Sequence, residues 1–222
     1  MQIFCDFDGT ITTLDTTDHV LSRLATPAWE ELEADWCAGR IDAAACMRGQ
    51  IALLQGDDRA LDAVLDEVEL AAGFGDFVDW CAREGVPLTI VSDGVDRFIR
   101  RILARHRTPD LPIVSNRLMG RESARRLAQP HRRDGCAAGA GVCKCEATQR
   151  RMGAGNARAT LVYIGDGRSD FCVSARADLL FAKDALADYA ERRGQAHHPF
   201  TTFHDVLAAL EPLVGSRRLV AQ

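Results

Sequence analysis

The run Phe4-Cys5-Asp6-Phe7-Asp8-Gly9-Thr10-Ile11-Thr12 constrains this chain more than any other segment. An apolar stretch delivers two carboxylates into a glycine turn. Side chains of an extended chain alternate, so Asp6 and Asp8 project to one face while Phe7 goes to the other. Two like charges held that close repel, and they do not both stay ionised without help. A bound hard cation removes the conflict, because Mg²⁺ takes carboxylate and carbonyl oxygens in octahedral geometry. The turn at Gly9 and Thr10 offers backbone N–H groups and a hydroxyl, donors that suit an anion such as phosphate.

Beyond this run, short apolar stretches alternate with helical patterns. That alternation predicts an α/β fold with a doubly wound, Rossmann-like parallel sheet. Strands are expected over 2–6, 87–92, 113–116, 160–165 and 179–182. Three of them end in polar motifs: Asp6, then Ser92-Asp93-Gly94, then Gly165-Asp166-Gly167. Ligands of open α/β sheets bind outside the carboxyl ends of the strands, so these ends are expected to meet at one site.

Between the first strand and a helix near 74–83 no strand pattern appears. Leu61, Val64, Leu65 and Val68 follow the i, i+3, i+4, i+7 spacing of an amphipathic helix. Trp29, Leu32 and Trp36 repeat a similar stripe, read as packing between helices. The expectation is a small helical cap over 16–72, inserted into a core domain made of 1–15 and 73–222. Gly73 and Gly75 mark the boundary, a further helix lies around 206–214, and the tail after Gly215 is expected to fray.

Composition excludes several classes. With 222 residues, the chain has room for one α/β domain and a small insertion. A net charge of −5 argues against a nucleic-acid binder. No apolar run reaches the roughly 18 residues of a membrane span. The first residues lack a basic start and a long apolar stretch, so a cytoplasmic protein with reduced thiols is expected. The oligomeric state is left open.

Four motifs, Asp6-Phe7-Asp8-Gly9-Thr10, Ser92-Asp93-Gly94, Lys144 and Gly165-Asp166-Gly167-Arg168-Ser169-Asp170, stand in the order found in phosphatases of the haloacid dehalogenase superfamily, which the chain resembles. Chemistry and the resemblance assign the same roles. Asp6 would attack phosphorus and become an aspartyl-phosphate. Asp8 would protonate the leaving group and then activate water. Its backbone carbonyl, the resemblance implies, joins the Asp6 and Asp166 carboxylates on Mg²⁺, with Asp170 bound directly or through water. Ser92 and the Gly94 amide region, beside Asp93, would hold phosphate oxygens, and Lys144 would screen Asp6 from the incoming anion. Ser169 and Asp170 could also serve only as helix-start residues.

Two branches of the superfamily with small helical caps are similar to this chain. Phosphoserine phosphatases carry a serine where Gly9 stands, and grip the amino acid with a cap glutamate and a cap arginine. Here the first falls near Asp15 and the second at Gln50, with Arg48 two residues earlier; an amide cannot replace the bidentate hold of a guanidinium. The opening run and the loop Cys136-(six residues)-Cys143-Lys144-Cys145 more closely resemble the methionine-salvage branch. Its substrate, 2-hydroxy-3-keto-5-methylthiopentenyl-1-phosphate, is an enol phosphate with a thioether tail. A phosphomutase using the same aspartyl-phosphate is the third reading.

The expected partner is thus a small phosphorylated metabolite. Thr13, Asp15, Asp18, Arg48 and Gln50 are the cap-side candidates for contact with it. Cys136, Cys143, Cys145 and His131 are soft ligands of a type that suits zinc. Tight Cys-x-Cys spacing instead favours a glycine-rich loop of reduced thiols. Arg117, Arg121, Arg125, Arg126, Arg132 and Arg133 are read as solvated charge on a hairpin or helix face, and His197-His198 as a polar turn.

Overall fold

The computed structural model describes residues 1–152 and 159–220. Strand β1 (Gln2–Cys5) leads into four helices, α1 (Thr16–Leu24), α2 (Ala28–Cys37), α3 (Ala43–Ala52) and α4 (Asp58–Leu65). Then follow α5 (Phe74–Glu84), β2 (Leu88–Val95), α6 (Asp96–Arg105), β3 (Ile113–Met119), β4 (Arg126–Ala128) and α7 (Lys144–Met152). The chain continues through β5 (Leu161–Gly165), α8 (Phe171–Ser174), β6 (Leu179–Ala182), α9 (Asp184–Arg192), β7 (His198–Pro199) and α10 (Phe203–Val220).

Among the described residues seven strands form one sheet in the order β4-β3-β2-β1-β5-β6-β7. All neighbours are parallel except β3 and β4. β1 sits at the centre, with Ile3 opposite both Leu88 and Val162. Ile3, Phe4 and Cys5 are fully buried, as a strand covered on both faces requires. Chain order runs outward in both directions from β1, so the crevice beyond its carboxyl end is a topological switch point.

Alternation along β1 divides the core in two. Ile3 and Cys5, with Phe7 beyond the strand end, face a cluster built from α5, α6 and α10, where Phe74 and Phe77 pack on Phe203 at 5.0 and 5.2 Å between ring centres. Phe4 faces the other cluster, with Tyr163, Cys145, Val173 and Leu186 from β5 and helices α7 to α9. The result is helices on both faces of a mostly parallel sheet, the α/β architecture that the pattern predicts.

The helices after β1 form a cap-like insertion. Their incoming and outgoing chains are tied together: Ala71 N–H donates to the Ile11 carbonyl at 2.7 Å, Thr13 N–H to Glu69 at 3.1 Å, and Thr12 bridges to Leu70. Leu61, Val64 and Leu65 are buried as their spacing predicts. Among the described residues no helix is long and apolar enough to cross a membrane.

Several local expectations change. β2 does not stop at Ser92 but runs to Val95, with an irregular register against β3 between Val91 and Val95. β4 and β7 had no sequence signal, because edge strands of three and two residues carry no readable alternation. His198 is therefore an edge-strand residue, its ring 5.1 Å from Phe181, rather than part of a polar turn. Arg125 is not solvated: it is 2% exposed, ion-paired to Asp58 at 3.0 Å and hydrogen-bonded to the carbonyls of Gln55 and Gly56. The backbone of 216–220 continues α10 where a loose tail was expected, and 221–222 lie outside the described residues.

Candidate active site

The carboxyl ends of β1, β2 and β5 open into one cavity of about 250 Å³. Asp6, Asp8, Ser92, Asp93, Gly94 and Asp166 line its floor. Asp6 follows β1 directly and is 5% exposed. One of its oxygens accepts the Phe7 N–H at 2.8 Å, and the other lies 2.6 Å from the Lys144 Nζ. Lys144 opens α7 and is buried, with Nζ also 2.6 Å from Asp170 and 2.8 Å from the Ser169 Oγ. Asp170 is saturated: it accepts from Lys144, from the Tyr163 hydroxyl at 2.6 Å, and from the amides of Asp166 and Gly167 at 3.1 Å each. It closes the turn after Gly167 and holds the lysine at once.

Asp6, Asp166 and Asp170 each present a carboxylate oxygen, and these oxygens all lie within 4.8 Å of one another. Burial raises Asp6 well above the usual carboxylate range, and the charges of Asp170 and Asp166 add to the rise while Lys144 opposes it. Asp166 is pushed up to about 6, chiefly by burial. Burial works against the charge on Lys144, yet Asp170 and Asp6 outweigh it and hold the ammonium protonated. One cation among three crowded hard-oxygen donors leaves the floor short of positive charge. The donor set fits Mg²⁺, and the saturated Asp170 has the least acceptor capacity left among the three carboxylates. Gly9 makes the approach possible, because at φ +69° a Cβ there would sit 2.6 Å from an Asp166 oxygen.

Asp8 faces the same cavity, where one of its oxygens accepts the Thr16 N–H at 3.0 Å. Burial, and then the charge of Asp15, pushes it up to about 7, the poise of an acid–base group at neutral pH. Ser92 is buried with its Oγ accepting the Gly94 N–H at 2.8 Å, which leaves its own proton to be donated. A Cβ on Gly94 would run into the Asp8 carboxylate.

Three residues expected to touch phosphate have other work. The Thr10 hydroxyl donates to Asp166 at 2.5 Å, and its amide closes the turn on Phe7. The Gly9 amide is used on the Leu14 carbonyl and the Thr12 hydroxyl. A turn this tight consumes its own donors. The Asp93 carboxylate accepts from Asn116 at 3.0 Å and from the Val142 N–H at 2.8 Å, tying β2 to β3 and to the loop that delivers Lys144.

Over this floor stands a wall from the helices: Asp15, Thr17 and Asp18 at the start of α1, Glu33 and Trp36 on α2, and Cys46, Met47 and Gln50 on α3. Asp15 caps α1 by accepting the Asp18 N–H at 2.9 Å. Gln50, 4% exposed, donates to Glu33 at 2.9 Å. Asp15 and Asp18 open onto the cavity's solvent, yet the protein packed around them raises both, Asp18 to about 6. The Arg168 guanidinium lies 5.5 Å over the Trp36 ring.

Arg48 does not reach the cavity; it is hydrogen-bonded to the Gln129 side chain, because its neighbours on α3 turn Met47 and Gln50 inward. Thr13 is spent on the paired chains beneath the cap. Trp36 is a wall residue rather than interhelical packing, and Glu33 had no individual signal. Their i, i+3 spacing on α2 was the available clue. Among the described residues the thiols of Cys136, Cys143 and Cys145 and the His131 ring do not converge as a metal-holding group.

Residues 3–174 match the model of the haloacid dehalogenase-like hydrolase family. The chain is 34% identical over 214 residues to the 2-hydroxy-3-keto-5-methylthiopentenyl-1-phosphate phosphatase of Brevibacillus brevis, covering 95% of each chain. It is also 34% identical to the protein of the same name from Geobacillus kaustophilus, over 95% of this chain and 96% of that one. The fold is similar to a solved substrate-bound phosphoserine phosphatase, with a TM-score of 0.68 over 94% of this chain and 97% of that one, at 17% identity.

Proposed function

Because the chain belongs to the haloacid dehalogenase-like hydrolases and is a phosphatase of that family, we propose that it hydrolyses a small phosphorylated metabolite through a phosphoryl group carried on Asp6, with Mg²⁺ as cofactor. One observation carries this reading: Asp6, Asp166 and Asp170 gather their oxygens within 4.8 Å on a floor where Lys144 sits 2.6 Å from two of them.

Mg²⁺, held by Asp6, the Asp8 carbonyl and Asp166, would neutralise the charge that builds on the phosphoryl oxygens. The protein does the rest. Lys144 offsets the repulsion between the Asp6 carboxylate and the approaching dianion. The Ser92 hydroxyl donates to a non-bridging oxygen and orients phosphorus for in-line attack. Asp6 attacks, the ester P–O bond breaks, and Asp8 gives its proton to the departing oxygen. Asp8, now a carboxylate, takes a proton from water, which attacks phosphorus and returns Asp6 and inorganic phosphate.

The substrate we assign is 2-hydroxy-3-keto-5-methylthiopentenyl-1-phosphate. The names of the relatives at 34% identity support it, as does a cap wall where Trp36, Ala43, Cys46 and Met47 offer apolar surface to a thioether tail. Likeness to phosphoserine phosphatase is one of fold, and Arg48, the arginine nearest the expected register, is engaged elsewhere. We take 16–72 as the cap that closes over the substrate, and 1–15 with 73–222 as the core. The test is phosphate release by the purified protein from a panel of metabolite phosphates. The enol phosphate should give the highest kcat/KM; a higher value for phosphoserine would overturn the assignment.

A further inference from the structure

We propose that the cap wall is a charge filter in which Asp18 and Glu33 admit phosphate esters whose leaving group presents a neutral or cationic hydrogen-bond donor, and reject those whose leaving group carries a carboxylate. The inference rests on the phosphatase reading and adds which leaving groups can reach Asp6.

Once the floor has bound the phosphate, the leaving group must lie against the wall. That wall offers three carboxylates, Asp15, Asp18 and Glu33. Asp15 is committed to its helix cap. Glu33 accepts from the side-chain amide of buried Gln50, which holds it at the wall. Among the described residues no side chain donates a hydrogen bond to the Asp18 carboxylate, which keeps its acceptor capacity for a ligand. Among the described residues the one cation lining the cavity, Arg168, lies over Trp36 at the exposed rim.

A second observation is independent of these charges. Thr17 is 6% exposed and lines the same wall, and its buried hydroxyl has no hydrogen-bond partner. An unpartnered buried hydroxyl is costly, and a polar ligand group brought against this part of the wall would relieve that cost. Like charges across an interface cost enough to decide between partners, whereas an ammonium or a hydroxyl proton would be welcomed by either carboxylate. The enol phosphate assigned above carries a hydroxyl and no carboxylate, and so passes the filter.

O-phosphoethanolamine and O-phosphoserine make a matched pair, the second being the first with one carboxylate added. Both are measured with the full chain and Mg²⁺, as substrates and as competitive inhibitors of p-nitrophenyl phosphate hydrolysis. Wild type should favour phosphoethanolamine by about 100-fold. In the double variant Asp18→Asn, Glu33→Gln that preference should fall at least about tenfold, through a gain for phosphoserine. Equal treatment of the two esters by wild type overturns the filter, as does an unchanged preference in a folded double variant. Absence of any p-nitrophenyl phosphate hydrolysis by wild type would instead mark failure of the phosphatase reading itself.

Discussion

On the floor of the cavity Asp6, Lys144 and Asp170 are each buried and held from two or more directions, whereas the carboxylates of the cap wall are more exposed and more lightly held. Asp170 takes four donors; Glu33 takes one amide, from Gln50, and one weak thiol contact, from Cys46. The floor comes from the ends of buried parallel strands, whose ladder leaves little freedom. The wall comes from short helices, and α2 has no buried residue at all. A site that must align an in-line displacement needs the first kind of construction, and one that must accept and release a leaving group can use the second.

Substitutions on the two surfaces should therefore fail in different ways. The largest effect belongs to Asp6→Asn, which should cut phosphate release by about 10⁴-fold or more, because a nucleophile cannot be shared out among its neighbours. Circular dichroism should show the fold retained, and residual activity near wild type would break the contrast at its strongest point. Asp8→Asn should lose about 10³-fold on alkyl phosphates and much less on p-nitrophenyl phosphate, whose leaving group needs little protonation. With Asp8 near 7, its proton is lost as pH rises through that value. kcat/KM for an alkyl ester should thus fall above about pH 7, and the falling limb should be missing for the aryl ester.

Lys144→Met probes the floor's integrity rather than its chemistry. It leaves Asp6 and Asp170 buried without their cation, and should lower stability by about 3–5 kcal/mol in urea melts. A loss below 1 kcal/mol would mean that the floor is less tightly coupled than its distances imply.

Asp18→Asn, on the wall, should have the smallest effect, and of opposite sign. Asp18 binds protons more tightly folded than unfolded, its value rising from about 4 to about 6. Its contribution to stability is therefore complete below about pH 4 and is lost as pH rises through about 6. At pH 7.5 the variant should equal or exceed wild type in stability, by less than about 1 kcal/mol since the cavity's solvent screens the charge. A clear loss would move Asp18 from the wall's loose construction to the floor's tight one.

What the chain's order of residues determined by itself was the floor. Asp6 and Asp8 share a face because side chains alternate in extended backbone, Asp166 and Asp170 fall together because they flank one tight turn, and apolar runs before them are read as strands without further help. These are relations of two to four residues, and local spacing records them. The partnership of Lys144 with Asp6, the burial of Arg125 against Asp58, the turning of Glu33 and Trp36 inward while Arg48 points away, and the short edges β4 and β7 were decided only when the chain closed on itself. Each depends on how two distant segments are rotated against one another. An amphipathic pattern tells a helix which side is buried, but not which of its polar neighbours will face a cavity made by another part of the molecule.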